Sequence, residues 1–350
     1  MSKSKDHLPL VRLELLRPFC DALEEQQINW RAMIREFGFK ENLLAECEHL
    51  FVPAIPAFDL FLERAAIATH DNFFAAKVAQ RVNFTDIPSF AEPFYAATSL
   101  GELLVQLSRN VRQLATTMSV QVSMQTDTAK ITLERTYQPR IKPRQKDAFT
   151  LTCLLRLLQF GSQEPAGNRL MKIGVSDPEV VSNEFADTMM TRSPANQLYI
   201  EFPSQWLLRS LPPVCRASFA QEREHISMAP SGFLDSLRYV LAECADMQKL
   251  DSDYIVAFTD HSLQSVQIAL RQLKTSLSEE IMRAKMNRAV ATLAAGVSVT
   301  ETASRCGYKN ATSFSRAFKG WFGFSPKDHR KDFAKNRLSS PERLHATGGS

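Results

Sequence analysis

The chain has 350 residues, 44% of them hydrophobic and 23% charged, a composition that excludes global disorder and a length that predicts two domains at roughly 100–200 residues each. Its net charge of +4 is unevenly placed: Phe233 to the end holds 17 Lys/Arg against 12 Asp/Glu, whereas the first 232 residues hold 25 against 26. No apolar run approaches the ~18 residues of a membrane helix, and charges interrupt MSKSKDHLPLVRLELLRPF where a signal peptide keeps an apolar core, so a cytoplasmic protein without a membrane partner is expected.

From about Leu10 to Asn110 apolar residues recur at three- and four-residue spacing, as in FDLFLERAAIA (58–68) and SLGELLVQLSRNVRQL (99–114), which predicts helices. Ser99 and Glu102 have the spacing of a capping box at the start of the second. SVQVSM (119–124) and AKITLERTY (129–137) alternate around Gln125-Thr126-Asp127-Thr128, a hairpin pattern. The basic stretch PRIKPRQKD (139–147) reads as a loop, AFTLTCLLRLLQF (148–160) as a helix, and RLMKIGV (169–175) and NQLYIEF (196–202) as strands. These elements predict an N-terminal α+β domain with a helical front half over 1–215. A linker over 216–232 follows, in a stretch where Pro212, Pro213 and Pro230 cluster with polar residues.

After Phe233 the pattern is helical throughout. FLDSLRYVLAEC (233–244) forms one helix, and Ser252 is expected to cap another that runs through Phe258. Ser262 is placed to cap 263–273, Ser276 with Glu279 to start a long helix through about Ala294, and Ser298 with Glu301 to start VTETASRC. Gly296 and Gly307 suit the residues that close helices, Asn310 caps ATSFSRAFKGWF, Gly323 ends it, and Pro326 suits the start of a last short helix. The tail 338–350 is polar and has no predicted role.

A short helix, a tight turn and a second helix occur twice, SLQSVQIALRQL (262–273) lying over NATSFSRAFKGW (310–321). On a wheel of about 100° per residue, Phe314, Phe318, Trp321 and Phe322 share one arc that faces the core. Thr312, Arg316 and Lys319 fall opposite, with Ser313 and Ser315 at the flanks and Lys309, Asn310 and Ala311 at the helix start. In the first copy the outward residues are Gln264, Ser265, Gln267, Ile268 and Arg271, around a core of Val266, Leu270 and Leu273. Hydroxyls, amides and cations on one face suit base edges in a major groove that admits one α-helix. Nine cations against Asp328 and Asp332 within 305–337 point to a polyanionic partner, which makes these outward residues the candidate DNA-binding set.

At these residues the sequence resembles the AraC/XylS family of bacterial transcription regulators. The stretch SVTETASRCGYKNATSFSRAFKGWFGFSPKDHR fits the family signature through Gly307, Phe314, Arg316, Phe318, Gly323 and Pro326. Three positions depart from it: His329 stands where Tyr or Phe is usual, Ile268 where the first recognition helix often carries Arg, and Lys285 at an Arg position of the linker helix. The resemblance implies a C-terminal all-α domain over 233–337, two helix-turn-helix units joined by a linker helix and reading successive major-groove segments about 34 Å apart. It also implies promoter DNA and RNA polymerase as partners, activation as the direction of control, and a homodimer. LRPFCDALEEQQINWRAMIREFGF, SLGELLVQLSRNVRQL and NQLYIEFPSQWLLRSLPP resemble the N-terminal "arabinose-binding" type domain of such regulators, which implies sensing of a small-molecule effector or dimerisation. Neither the effector nor its binding residues can be named from the sequence.

Two other functions compete. Catalysis lacks support, because the first 231 residues hold five glycines with no G-x-G-x-x-G, Walker A or G-x-S-x-G arrangement. The six cysteines form no C-x-x-C pair, so no metal or cofactor is expected, and Cys47-Glu48-His49 is adjacent in sequence and points apart on a helix. His70, His225 and His261 are isolated. The other alternative is an architectural or dimeric DNA-binding protein that responds to no effector; a ligand-dependent change in DNA affinity separates it from a sensor.

Overall fold

The front half is helical, with two three-residue strands set into it. The structure, a computed structural model, describes residues 7–39, 50–164, 169–180, 188–194, 196–211, 228–259 and 261–331. Strand β1 (Leu10–Arg12) pairs antiparallel with β2 (Phe51–Pro53). The helical pattern read from Leu10 onward missed both, since three residues are too few to show a period of two. Around them lie α1 (Arg17–Glu25), α2 (Trp30–Glu36), α3 (Phe61–Ala68), α4 (Phe74–Arg81), α5 (Pro88–Ala96) and α6 (Leu100–Leu114). Ser99 caps α6 as expected, accepting from the Glu102 amide at 3.2 Å.

The sheet half follows. β3 (Met118–Met124) and β4 (Thr128–Arg135) form the expected hairpin, α7 spans Arg144–Ser162, and β5 (Lys172–Val175), β6 (Met189–Arg192) and β7 (Gln197–Pro203) complete a five-stranded sheet in the order β3-β4-β7-β5-β6. The pair β5–β6 is parallel, the rest antiparallel. Ala148, Leu151, Leu155 and Leu158 of α7 pack with Ile131, Ile173, Ile200 and Phe202 of the sheet. On its other side, Cys153 and Leu157 join Phe19, Phe58 and Phe74 of the front helices. A helix buried on both sides is apolar nearly all round, which is why AFTLTCLLRLLQF shows little amphipathic contrast.

The predicted loop 139–147 is shorter than read, because α7 starts at Arg144. Its first turn is buried. Lys146 Nζ donates to Asp59 Oδ1 (3.2 Å) and to the Tyr137 hydroxyl (2.9 Å), Tyr137 donates to Asp59, and Arg135 pairs with Asp147, which also accepts from Ser176 (3.1 Å). Burial pushes the Lys146 ammonium below its ordinary value and the Tyr137 hydroxyl and Asp147 carboxyl above theirs, so the ion pairs are what keep charge inside.

The C-terminal half contains α8 (Phe233–Glu243), α9 (Ser252–Ala257), α10 (Leu263–Gln272), α11 (Leu277–Ala294), α12 (Val299–Arg305) and α13 (Ala311–Phe322), with residues 326–331 again helical. Asp251, not Ser252, caps α9, accepting from the Tyr254 amide at 2.8 Å. Ser262, Ser276, Ser298 and Asn310 cap their helices as expected. Gly323 closes α13 in the left-handed region at φ +84°. The expected tail 338–350, most of the linker, Cys47-Glu48-His49 and His225 lie outside the described residues.

The two helix-turn-helix units are rooted differently. Phe233, Leu237, Val240, Ile255, Phe258, Val266 and Leu270 of the first share one core with the front helices of the N-terminal half. Phe39 and Phe258 stack at 5.9 Å, the Phe51 amide donates to the Tyr239 hydroxyl at 2.9 Å, and the Lys249 ammonium donates to the Arg35 carbonyl at 3.1 Å. Gly38, at φ +83°, lets the Tyr254 ring lie against its Cα, where any Cβ would collide with the ring. The second unit has its own small core of Met286, Ala289, Leu293, Ala303, Cys306, Phe314 and Phe318. Helix α11 joins the two, its Glu280 carboxylate held by Arg238 at 2.7 and 2.9 Å and by the Thr275 hydroxyl at 2.7 Å. Burial opposes that charge, but these bonds outweigh it and hold the carboxyl below its ordinary range.

Candidate nucleic-acid interface

Helix α13 forms because Asn310 satisfies its first turn, its side-chain oxygen accepting from the Ser313 amide and hydroxyl, both at 2.8 Å. Phe314 and Phe318 are 0% exposed and pin its underside, and Phe318 lies among Phe322, Phe324 and His329 at 4.7 to 6.0 Å between ring centroids. The His329 ring thus takes the place of the usual aromatic by packing as one. On the outer side Lys309, Asn310, Thr312, Ser313, Arg316 and Lys319 are exposed, and Ala311 and Ser315 are half-buried at the flanks.

Trp321 departs from the expectation of a core residue. It is 36% exposed, with the Arg283 guanidinium 5.7 Å from its ring. The wheel gives its direction correctly, but the fully buried part of the core beneath α13 ends with Phe318, one turn earlier; past it Phe322 packs against that core while the indole stays at the surface beside Arg283 of α11. Leu273 in the first unit departs for the same reason. It is 47% exposed at the end of α10, whose buried residues are Val266 and Leu270.

Helix α10 is capped by Ser262, which accepts from the Ser265 amide at 3.3 Å. Gln264, Ser265, Gln267, Ile268 and Arg271 are all exposed, Ile268 at 48%. None of Lys309, Arg316, Lys319 or Arg271 has an ion-pair or hydrogen-bond partner for its side chain among the described residues, so these cations can meet a polyanion without breaking an internal contact. Linker-helix Lys285 is different: its ammonium sits 5.7 Å from the Tyr308 ring, and burial lowers its pKa.

Elsewhere the geometry offers little chemistry. Cys20, Cys153, Cys244 and Cys306 are buried and in no disulfide, and burial pushes the Cys153 thiol up to about 12 and the Cys306 thiol up to about 11, which disfavours the thiolate in both. Among the described residues no group of three His, Cys, Asp or Glu could hold a metal, and no helix is long and apolar enough to cross a membrane. A groove of about 440 Å³ lies between α1 and the end of α4, floored by Pro18, Ala22, Val78 and Val82 and rimmed by Arg17, Asp21 and other charged residues.

Residues 259–332 match the family described as "Helix-turn-helix domain". Similar solved structures include the transcriptional regulator CdpR from Pseudomonas aeruginosa, at 14% identity and TM-score 0.39, covering 91% of this chain and 98% of that one. A DNA-binding transcriptional dual regulator from Escherichia coli K-12 is 21% identical, with 29% of this chain and 91% of that one covered and a TM-score of 0.27. The xylose-binding transcription activator xylR is 13% identical over 54% of this chain and 39% of that one, with a TM-score of 0.26. No curated protein matches the chain.

Proposed function

We propose that this chain, a DNA-binding transcription regulator with an AraC-type helix-turn-helix domain at its C-terminus, reads specific promoter sequence and is an activator controlled by a small-molecule effector. The observation that carries the sequence-reading part is α13: a helix anchored by two wholly buried phenylalanines that presents Thr312, Ser313, Arg316 and Lys319, with no partner for either cation among the described residues. In this reading Arg316 takes guanine O6 and N7, Thr312 and Ser313 take base edges, and Lys319 and Lys309 take phosphates. Helix α10 reads a second segment through Gln264 and Gln267, with Ile268 against a thymine methyl and Ser265 and Arg271 toward the backbone.

Residues 1–215 form the sensing and self-association domain, 216–232 the linker and 233–337 the DNA-reading domain. The groove between α1 and α4 falls in the size range of small-molecule sites, about 300–1,000 Å³. Helix α1 shares its core with the first helix-turn-helix unit, so an effector seated there would bias how that unit is held. RNA polymerase, a homodimer and a cytoplasmic location complete the reading.

Two substitutions separate base reading from charge. Arg316→Ala is expected to cost about 1–3 kcal/mol at the preferred site and to relax one base position, whereas Lys319→Ala is expected to weaken preferred and random duplexes alike and to lower the salt slope by about one unit. Unchanged base preference in the first variant, or an unchanged slope in the second, removes that residue from the interface.

A further inference from the structure

The basic loop between β4 and α7 has no role in either reading helix, yet it is fastened beside one. The Arg140 guanidinium donates to the carbonyls of Val256 (2.6 Å), Thr259 (3.0 Å) and His261 (3.4 Å). These carbonyls end α9 and form the turn into Ser262, the cap of α10. A segment of the N-terminal half is thereby fixed at the N-terminal end of the first reading helix. Arg140, Ile141 and Lys142 are exposed there, and the Lys142 ammonium has no partner among the described residues, whereas Arg144, where α7 begins, is paired with Asp177 at 3.0 Å.

Charge gives this placement a purpose. The first unit, 233–275, carries four Lys/Arg against six Asp/Glu, while the second, 296–331, carries seven against two. A net-acidic unit entering a groove walled by phosphates is opposed by their field, and Arg271 and Lys274 lie at the far end of α10 from its cap. A helix about 10–12 Å across in a groove about 12 Å wide has phosphates along both shoulders, so cations tied to its N-terminal end lie where the unit lacks them.

We propose that the loop 139–143 is a third DNA-contacting element, in which Lys142 and the exposed side of Arg140 take backbone phosphates flanking the segment read by α10. The proposal rests on the DNA-binding reading of the helix-turn-helix units. It makes the N-terminal half part of the interface, so that any shift of the loop away from α10 removes phosphate contacts as well as altering the hold on the helix.

The test is a salt titration of the full-length protein on its preferred duplex and a scrambled one. Lys142→Ala, at an exposed position with no side-chain partner among the described residues, is expected to keep the wild-type melting temperature and to weaken both duplexes alike. It should also lower the salt slope by about one unit, so that a fourfold rise in salt costs about 4-fold less affinity than in wild type. Lys319→Ala on α13 and Lys172→Ala on β5 run beside it. A lowered slope in Lys319→Ala with an unchanged slope in Lys142→Ala overturns the loop contact while leaving the helix reading intact, and so does an equal loss in Lys172→Ala, which would mark a general effect of net charge. Tighter binding by Arg140→Ala would show that the loop shields α10, which also overturns the proposal. Absence of salt-linked binding in the wild type removes the DNA reading itself, and the loop contact with it.

Discussion

Replacing Phe318 with alanine is expected to destabilise the second helix-turn-helix unit by about 3–5 kcal/mol and to abolish its grip on DNA. The side chain is 0% exposed, and the core it belongs to is small, with Met286, Ala289, Leu293, Ala303, Cys306 and Phe314 as its other buried members. Its ring touches Phe314, Phe322, Phe324 and His329, so truncation opens a hole between α13 and the segment 326–331, with few neighbours free to fill it. The Trp321→Ala variant, one turn along the same face, is the internal comparison. Part of its surface is already in water, so its loss is expected to be clearly smaller. Denaturant melts of the three proteins decide the matter, and equal midpoints for Phe318→Ala and wild type would show that the core does not depend on this ring.

The second large effect is expected in the other half of the molecule. Asp59→Ala leaves the Lys146 ammonium buried with the Tyr137 hydroxyl as its remaining hydrogen-bond partner in the cluster, and breaking a buried pair in this way costs about 3–5 kcal/mol. The pH dependence follows from linkage. Burial already lowers the Lys146 pKa from its ordinary 10.5, and removal of Asp59 lowers it further, so the unfolded chain holds more protons than the folded one between the two values. Stability of the variant therefore rises with pH through that window: the relief is complete above the unfolded value and lost as pH falls through the folded one. Melts of wild type and variant between pH 7 and pH 10 should show the gap narrowing. A gap that widens would show that Lys146 is not the charge left behind.

What could be read from the sequence was local. Serine and asparagine caps, with glycine at the helix ends, are decided within four residues, so α6, α10, α11, α12 and α13 start where their capping residues predict. The cap of α9 was misplaced by one residue because Asp251 and Ser252 are both good caps and only the backbone angles choose between them. Features decided by distant partners were not legible. PRQKD reads as a solvated loop until Asp59, 87 positions from Lys146, supplies the missing charge. Arg140 looks like one more surface cation until the carbonyls of Val256 in α9 and of Thr259 and His261 after it, 116 to 121 positions away, arrive to accept from it. The wheel that sorted α13 into two faces is a statement about direction and carries no information on how far a core extends, which is why it held for Phe314 and Phe318 and failed for Trp321. For the outward residues the sequence could show which side they share, while the structure adds that Arg316 and Lys319 have no internal partner among the described residues.

Sequence reading by this protein is decided by selection of binding sites from random duplexes with the full-length chain. The expected result is one site spanning about two helical turns, bound at least roughly 10³-fold more tightly than a scrambled duplex at the same salt. Salt-sensitive binding with no preference among sequences, or no binding at low salt, would contradict it.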